Sequence, residues 1–293
     1  GVFGLGVTFN TIASSSNLKR WGYADDESCT LCGITPCGID HVLSGCKVSL
    51  EGGRYRKRHD CVLRTLAHGV QGEVNANKVK KKKDSSGSQW PVFVREGQNP
   101  STQKQNRSGL LGEAKDWSVL VDLDKQLKFP EKIAMTKMRP DMVLYSDTAK
   151  MVIMIELTCP VEVNIECRHQ EKTGKYEELV QECRTNGWKV WFFAVEVGAR
   201  GYVASSVRYC LSRLGLPGAK VKKVCNHVSD TALRWSFWIW IGREKLEWFA
   251  SKGNSVDGDS RSSGDDPIVS YPLSTPTMTL TAPEVPVTIL KKK

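Results

Sequence analysis

At 293 residues, with 40% hydrophobic residues and a formal net charge of +10, the chain has length for about two domains of roughly 150 residues and enough apolar content for a packed core. Its basic balance, with a pI of about 9.1, makes a polyanion the expected partner, nucleic acid ahead of an acidic membrane surface. No apolar run is long enough to span a bilayer, and the first residues lack the basic stretch and apolar block of a secretory signal, so neither a membrane anchor nor a disulfide framework is expected.

In chain order, residues 1–70 read as a cysteine/histidine module followed by a basic amphipathic stretch over 54–66. The pattern Cys29-x2-Cys32-x8-His41-x4-Cys46 has the ligand types and spacing of a tetrahedral zinc site. The first pair makes a tight thiolate hairpin, and His41 and Cys46 return to close the tetrahedron. So short a module has too small a core to fold alone, and the metal is expected to supply much of its folding free energy. Cys37 is an alternative ligand on sequence grounds. Arg54, Arg56 and Arg58 are expected nucleic-acid contacts, and His59 is read as a surface or phosphate-contacting residue, not a metal ligand.

Residues 71–114 read as a basic, polar linker, in which Lys80, Lys81, Lys82 and Lys83 form a candidate nuclear localisation signal or phosphate contact. A short strand is expected over 92–94. From 115 the pattern alternates: strands over 117–123, 142–145, 151–157 and 189–197, and helices over 163–184 and 202–214. Gly187 ends the first helical region, and Gly215 with Pro217 ends the second. The mixture implies an α/β or α+β domain over 115–250, read here as α/β. The aromatic stretch 235–249 reads as core or a capping helix. The tail 251–293, rich in Pro, Ser, Thr and Asp, is expected to be disordered.

Two strand segments each carry one carboxylate. If 142–157 forms a hairpin with Ser146 opposite Met151, Asp141 falls opposite Glu156, with side chains about 5 Å apart. Like charges there destabilise the sheet unless a cation sits with them, and hard carboxylate oxygens suit Mg²⁺, which also binds phosphate. Ile165, His169, Lys172, Tyr176, Leu179 and Cys183 share one face of the following helix. A lysine in the middle of a core-facing stripe either snorkels or points at the carboxylates. Lys175, nearby on the same helix, can share its task.

These residues resemble the C-terminal region of non-LTR retrotransposon polyproteins that carry a zinc knuckle and a restriction-like endonuclease. The resemblance runs from Asn17-Leu18-Lys19-Arg20-Trp21-Gly22 to Leu214-Gly215, roughly two thirds of the chain. It includes the knuckle with His41-Val42-Leu43-Ser44-Gly45-Cys46, the run Gly53-Arg54-Tyr55-Arg56-x-Arg58-His59-Asp60, Arg139-Pro140-Asp141, Glu156-Leu157-Thr158 and Lys172-x2-Lys175-Tyr176. It implies a PD-(D/E)xK core: a mixed central sheet flanked by helices, with Asp141 and Glu156 as Mg²⁺ ligands and Lys172 as catalytic lysine. Most such nucleases place the lysine two residues after the acid, where this chain has Thr158. The retrotransposon branch carries it on the next helix, as Lys172 would be.

The implied activity is nicking of target DNA to prime reverse transcription. The implied partners are DNA, element RNA and an upstream reverse transcriptase; the implied compartment is the nucleus. The first residue, Gly1 rather than Met, fits a fragment of a longer protein. Tyr23-Ala24-Asp25-Asp26 matches the metal-binding tetrapeptide of reverse-transcriptase palms. That motif needs apolar strands on both sides, whereas Glu27, Ser28 and the cysteine cluster follow at once, so no catalytic role is expected for it.

Overall fold

The computed structural model describes residues 2–79, 109–123 and 125–248. Two short helices, α1 (Val2–Thr8) and α2 (Ser15–Arg20), lead into the cysteine/histidine loop. A π-helical turn (His41–Gly45) and α3 (Lys47–Glu51) follow, and then the long α4 (Arg54–Val79). Four strands and three helices complete the fold: β1 (Ser118–Val121), β2 (Met142–Ser146), β3 (Met151–Thr158), α5 (Ile165–Thr185), β4 (Lys189–Glu196), α6 (Ser205–Leu214) and α7 (Gly218–Ile241).

The strands form one sheet in the order β1-β2-β3-β4. β1, β2 and β3 make an antiparallel meander, and β4 runs parallel to β3 because α5 carries the chain back to the same end. The β2–β3 register pairs Ser146 with Met151 and Met142 with Ile155, the hairpin expected from the sequence. One step beyond its last pair, Asp141 and Glu156 stand opposite each other. Both strands are apolar at nearly every position because both faces are covered. Met142, Leu144, Ile153 and Ile155 meet a core with residues of α4, α6 and α7, including Leu66, Leu211 and Val228. Val143, Val152 and Met154 meet Tyr176, Leu179 and Cys183 of α5. Each Leu or Ile so buried contributes about 1.5–3 kcal/mol.

The described residues on both sides of the expected linker share one hydrophobic core. All described residues lie in one compact unit, Gly1–Gly253. α4 supplies Val62, Leu63, Leu66, Val70 and Val74 to the sheet's own core, so the knuckle-plus-basic-helix region is not an independent module. The expected linker is helical over 71–79, and Leu110, Leu111 and Ala114 are buried in that same core. Gly109 permits this by crossing Gly215 backbone to backbone. A Cβ at Gly109 would lie 2.1 Å from the Gly215 Cα, and Gly215 itself caps α6 with φ 103°. The expected strand over 92–94 and the expected disordered tail over 251–293 lie outside the described residues, as do Lys80 to Lys83.

The aromatic stretch is mostly α7, whose Ile239 and Trp240 pack on the cysteine cluster along with Trp248. Among the described residues, no helix is long and apolar enough to cross a membrane.

Candidate functional site

The cysteine cluster closes as its spacing predicts. The Cys29 carbonyl accepts the Gly33 N–H, and Gly33 takes φ 73°, which folds the first pair of thiols together. The π-helical turn presents His41, and Cys46 stands at the N-terminus of α3. Ligand atoms of Cys29, Cys32, His41 and Cys46 lie within 4.8 Å of one another. Cys29 Sγ and Cys46 Sγ are 3.9 Å apart, and Cys32 Sγ is 3.2 Å from His41 Nε2. Zn–S bonds of about 2.3 Å in a tetrahedron put sulfurs roughly 3.8 Å apart, so the four can hold a zinc ion. Burial pushes the Cys29 and Cys32 thiols up and the His41 imidazole down. A zinc ion reverses the first effect by favouring thiolate, and the neutral imidazole is already the ligating form. Cys37 is outside the group of four, buried among Ile39, Val42 and Leu43.

The arginines beside the cluster are a correction to the sequence reading. Arg54 and Arg58 are each 1% exposed and are not available to phosphate. Arg54 donates to the carbonyls of Gly242 and Lys245 just beyond α7, under the Trp248 ring. Arg58 donates to the Leu43 carbonyl in the π-helical turn, to Ser236 Oγ on α7 and to the Cys159 carbonyl just after β3. One guanidinium thus joins the cysteine cluster, α7 and the end of the central strand. Arg56 alone of the three is exposed, 3.8 Å from Asp60.

Asp141, Glu156, Lys172 and Lys175 come together at the end of β2 and β3. Glu156 is buried, with a side chain 4% exposed. Its Oε1 accepts Lys172 Nζ at 2.7 Å, with Lys175 Nζ at 4.0 Å, and its Oε2 accepts the Asp141 N–H at 3.3 Å. Asp141 Oδ2 accepts the Leu157 N–H at 2.7 Å. Lys172 reaches Glu156 because strand alternation puts Asp141 and Glu156 on the α5 face, with Val143 and Met154. Tyr176, one turn on, donates to the Arg139 carbonyl and fixes the loop before Asp141. Its buried phenol, beside the charges of Glu156 and Asp141, is pushed far up.

His59 is the residue that the sequence reading misplaced. It leans from α4 into this site, with Nε2 3.3 Å from Asp141 Oδ2 and 3.1 Å from the Leu157 carbonyl. Nδ1 lies 3.1 Å from Asp60 Oδ1. Burial opposes its charge, but Asp141 and Asp60 outweigh burial and hold the imidazole well above its ordinary value. A His-Asp pair in a basic stretch was the available signal; the direction it faces was not legible.

A cleft of about 510 Å³ opens beside the site between Asp122, Lys137, Arg139 and Lys175. A second, of about 350 Å³, runs from Ser44 and Tyr55 past Thr158 to Arg168 and Lys172. Both openings carry cationic side chains. The Thr158 hydroxyl, two residues after Glu156, is buried without a hydrogen-bond partner. Tyr23 of the decoy tetrapeptide is 80% exposed, and Asp26 caps the Ser28 N–H and hydroxyl locally, far from a polymerase-like strand turn.

Compared with known proteins, the chain matches no family model and no curated sequence.

Proposed function

We propose that this chain is a metal-dependent DNA endonuclease with a PD-(D/E)xK-type core and a structural zinc knuckle, derived from a retrotransposon polyprotein. The observation that carries the reading is the meeting of two carboxylates from paired strands with Lys172 on the covering helix. A buried carboxylate pair needs a cation. Here Lys172 is at Glu156 and His59 is at Asp141, and the hard oxygens of both acids suit a divalent ion of the Mg²⁺ type. Such an ion, bound by Asp141 and Glu156, supplies charge to a phosphate oxygen and a more acidic water.

The chain's own residues then have separate tasks. Asp141 and Glu156 hold the ion, Lys172 stabilises charge developing on the phosphate, and Lys175 at the cleft mouth helps to bind the strand. Lys137 and Arg139 on one side and Arg168 on the other are suited to flanking phosphates. Target DNA, element RNA, an upstream reverse transcriptase and a nuclear location belong to this reading, as does nicking that primes reverse transcription.

Nicking of supercoiled plasmid with Mg²⁺ tests it. The wild-type chain should convert supercoiled to open-circle DNA, and Asp141→Ala should lower the rate on the order of a hundredfold to a thousandfold. Equal rates for the two proteins would end the enzyme reading. Binding that weakens steeply with salt, without any cleavage, would leave a zinc-containing nucleic-acid-binding protein.

A further inference from the structure

His59 is placed as a metal-site side chain should be if it works through another residue. Its ring is about three-quarters covered, with 24% of the side chain exposed, and it sits at the junction of three elements. Nδ1 faces the Asp60 carboxylate, and Nε2 faces the Asp141 carboxylate and the Leu157 carbonyl. A carbonyl oxygen can only accept, so Nε2 carries a hydrogen, which Leu157 and Asp141 share, while the Asp60 carboxylate faces the other ring nitrogen. Among the described residues, the Asp141 carboxylate accepts from the Leu157 N–H and from His59, both on Oδ2. Oδ1 is therefore the oxygen left to a cation. With the same Nε2, His59 also reaches the backbone of the residue after Glu156, and so ties the two acid-bearing strands at their common end.

We propose that His59 is a positioning residue for the divalent cation at Asp141 and Glu156, fixing the Asp141 carboxylate and the Leu157 peptide in one arrangement, with Asp60 orienting the ring from behind. This rests on the endonuclease reading above and adds to it a residue from α4, the helix that also carries Arg58. Hydrogen-bonded carboxylate ligands bind metal better than loose ones because their rotamer is fixed before the ion arrives, and losing such a partner typically costs tenfold to a hundredfold in affinity.

The test is Mn²⁺ binding by calorimetry on the zinc-loaded full chain at one pH, which reads the site without turnover. His59→Leu removes both ring nitrogens while keeping bulk, and should weaken Mn²⁺ binding about tenfold to a hundredfold. His59→Gln keeps an N–H donor and should bind closer to wild type than to His59→Leu. Asp60→Asn, on a side chain 30% exposed and so tolerant of change, should shift affinity in the same direction by less. The metal concentration for half-maximal nicking should rise in the same order, while DNA binding without divalent metal stays unchanged.

Wild-type Mn²⁺ affinity in His59→Leu would overturn the proposal, as would equal losses in folded His59→Gln and His59→Leu. If His59→Leu does not fold by circular dichroism, unchanged affinity in both His59→Gln and Asp60→Asn overturns it. These results differ from a failure of the endonuclease reading, in which wild type binds no Mn²⁺ or Asp141→Ala binds as wild type does; that outcome sinks both.

Discussion

The cysteine cluster and the carboxylate site are both sets of four polar side chains, yet the chain assembles them in opposite ways. Cys29, Cys32, His41 and Cys46 come from one short stretch of chain, and their ligand atoms converge within 4.8 Å of one another. Asp141, Glu156, Lys172 and Lys175 come from two strands and a helix, with His59 added from a fourth element. There every acid is held by a cation of the protein itself. The first site has the four ligand atoms of a zinc site gathered in one loop; the second is built by a sheet that folds for apolar reasons. Arg58 connects them, with one donor on Leu43 beside the cluster and another on Cys159 beside the acids.

The largest test of that contrast is zinc removal. The full chain is expected to retain about one zinc ion through dialysis, read by a colorimetric chelator. Cys32→Ser, or stripping of the ion, should melt the loop and the α7 contacts with it, because zinc contributes on the order of 10 kcal/mol in finger-sized modules. A chain purified without zinc and equally stable in its Cys32→Ser form would break the comparison. Removal of Mg²⁺ should leave the melting temperature nearly unchanged, since the sheet core does not need it.

Next in size is Arg58→Met. It leaves the Leu43 and Cys159 carbonyls and Ser236 without a buried donor, and should cost about 3 kcal/mol in urea unfolding. It should also speed zinc release. Loss below about 0.5 kcal/mol, within the range of an ordinary surface substitution, would show that the link between the two sites is incidental.

The smallest expected effect lies at the far end of the hairpin. Asp116 accepts from Ser146 Oγ, Thr148 Oγ1 and the Thr148 N–H, which hold its carboxyl well below the usual carboxylate range. A depressed folded-state value stabilises above the unfolded carboxylate range, about pH 4, and the contribution is lost as pH falls through the folded value. Asp116→Asn should therefore melt slightly lower than wild type at pH 7, with the gap closing below pH 4. A gap that stays constant with pH would show that the shift at this exposed turn carries no stability.

Much of the sheet was legible. β2 and β3 are apolar on both faces and separated by a Ser146-to-Lys150 turn, so their pairing and the opposition of Asp141 and Glu156 follow from period-two alternation alone. α5 shows its buried stripe through Tyr176, Leu179 and Cys183, and Lys172 on that stripe marks where the covering helix meets the acids. The α4 helix was misread because charge in a sequence is taken for solvent exposure. Arg54 and Arg58, one turn apart, point inward and find backbone carbonyls just beyond α7, in the π-helical turn and after β3 rather than water or phosphate. Nothing within ten residues of Arg58 announces a carbonyl 101 positions away.

By itself the sequence determined the local geometry: ligand spacing within one loop, strand alternation, a helix stripe and the register of a short hairpin. These are periodic or short-range, and each residue meets neighbours close in the chain. Only the tertiary structure decided that the cysteine loop, α4 and the sheet form one body, that two arginines are internal struts, and that His59 faces Asp141 across 82 residues of chain. The reason is physical: a buried polar side chain is defined by the partner that satisfies it, and that partner is chosen by how whole elements pack.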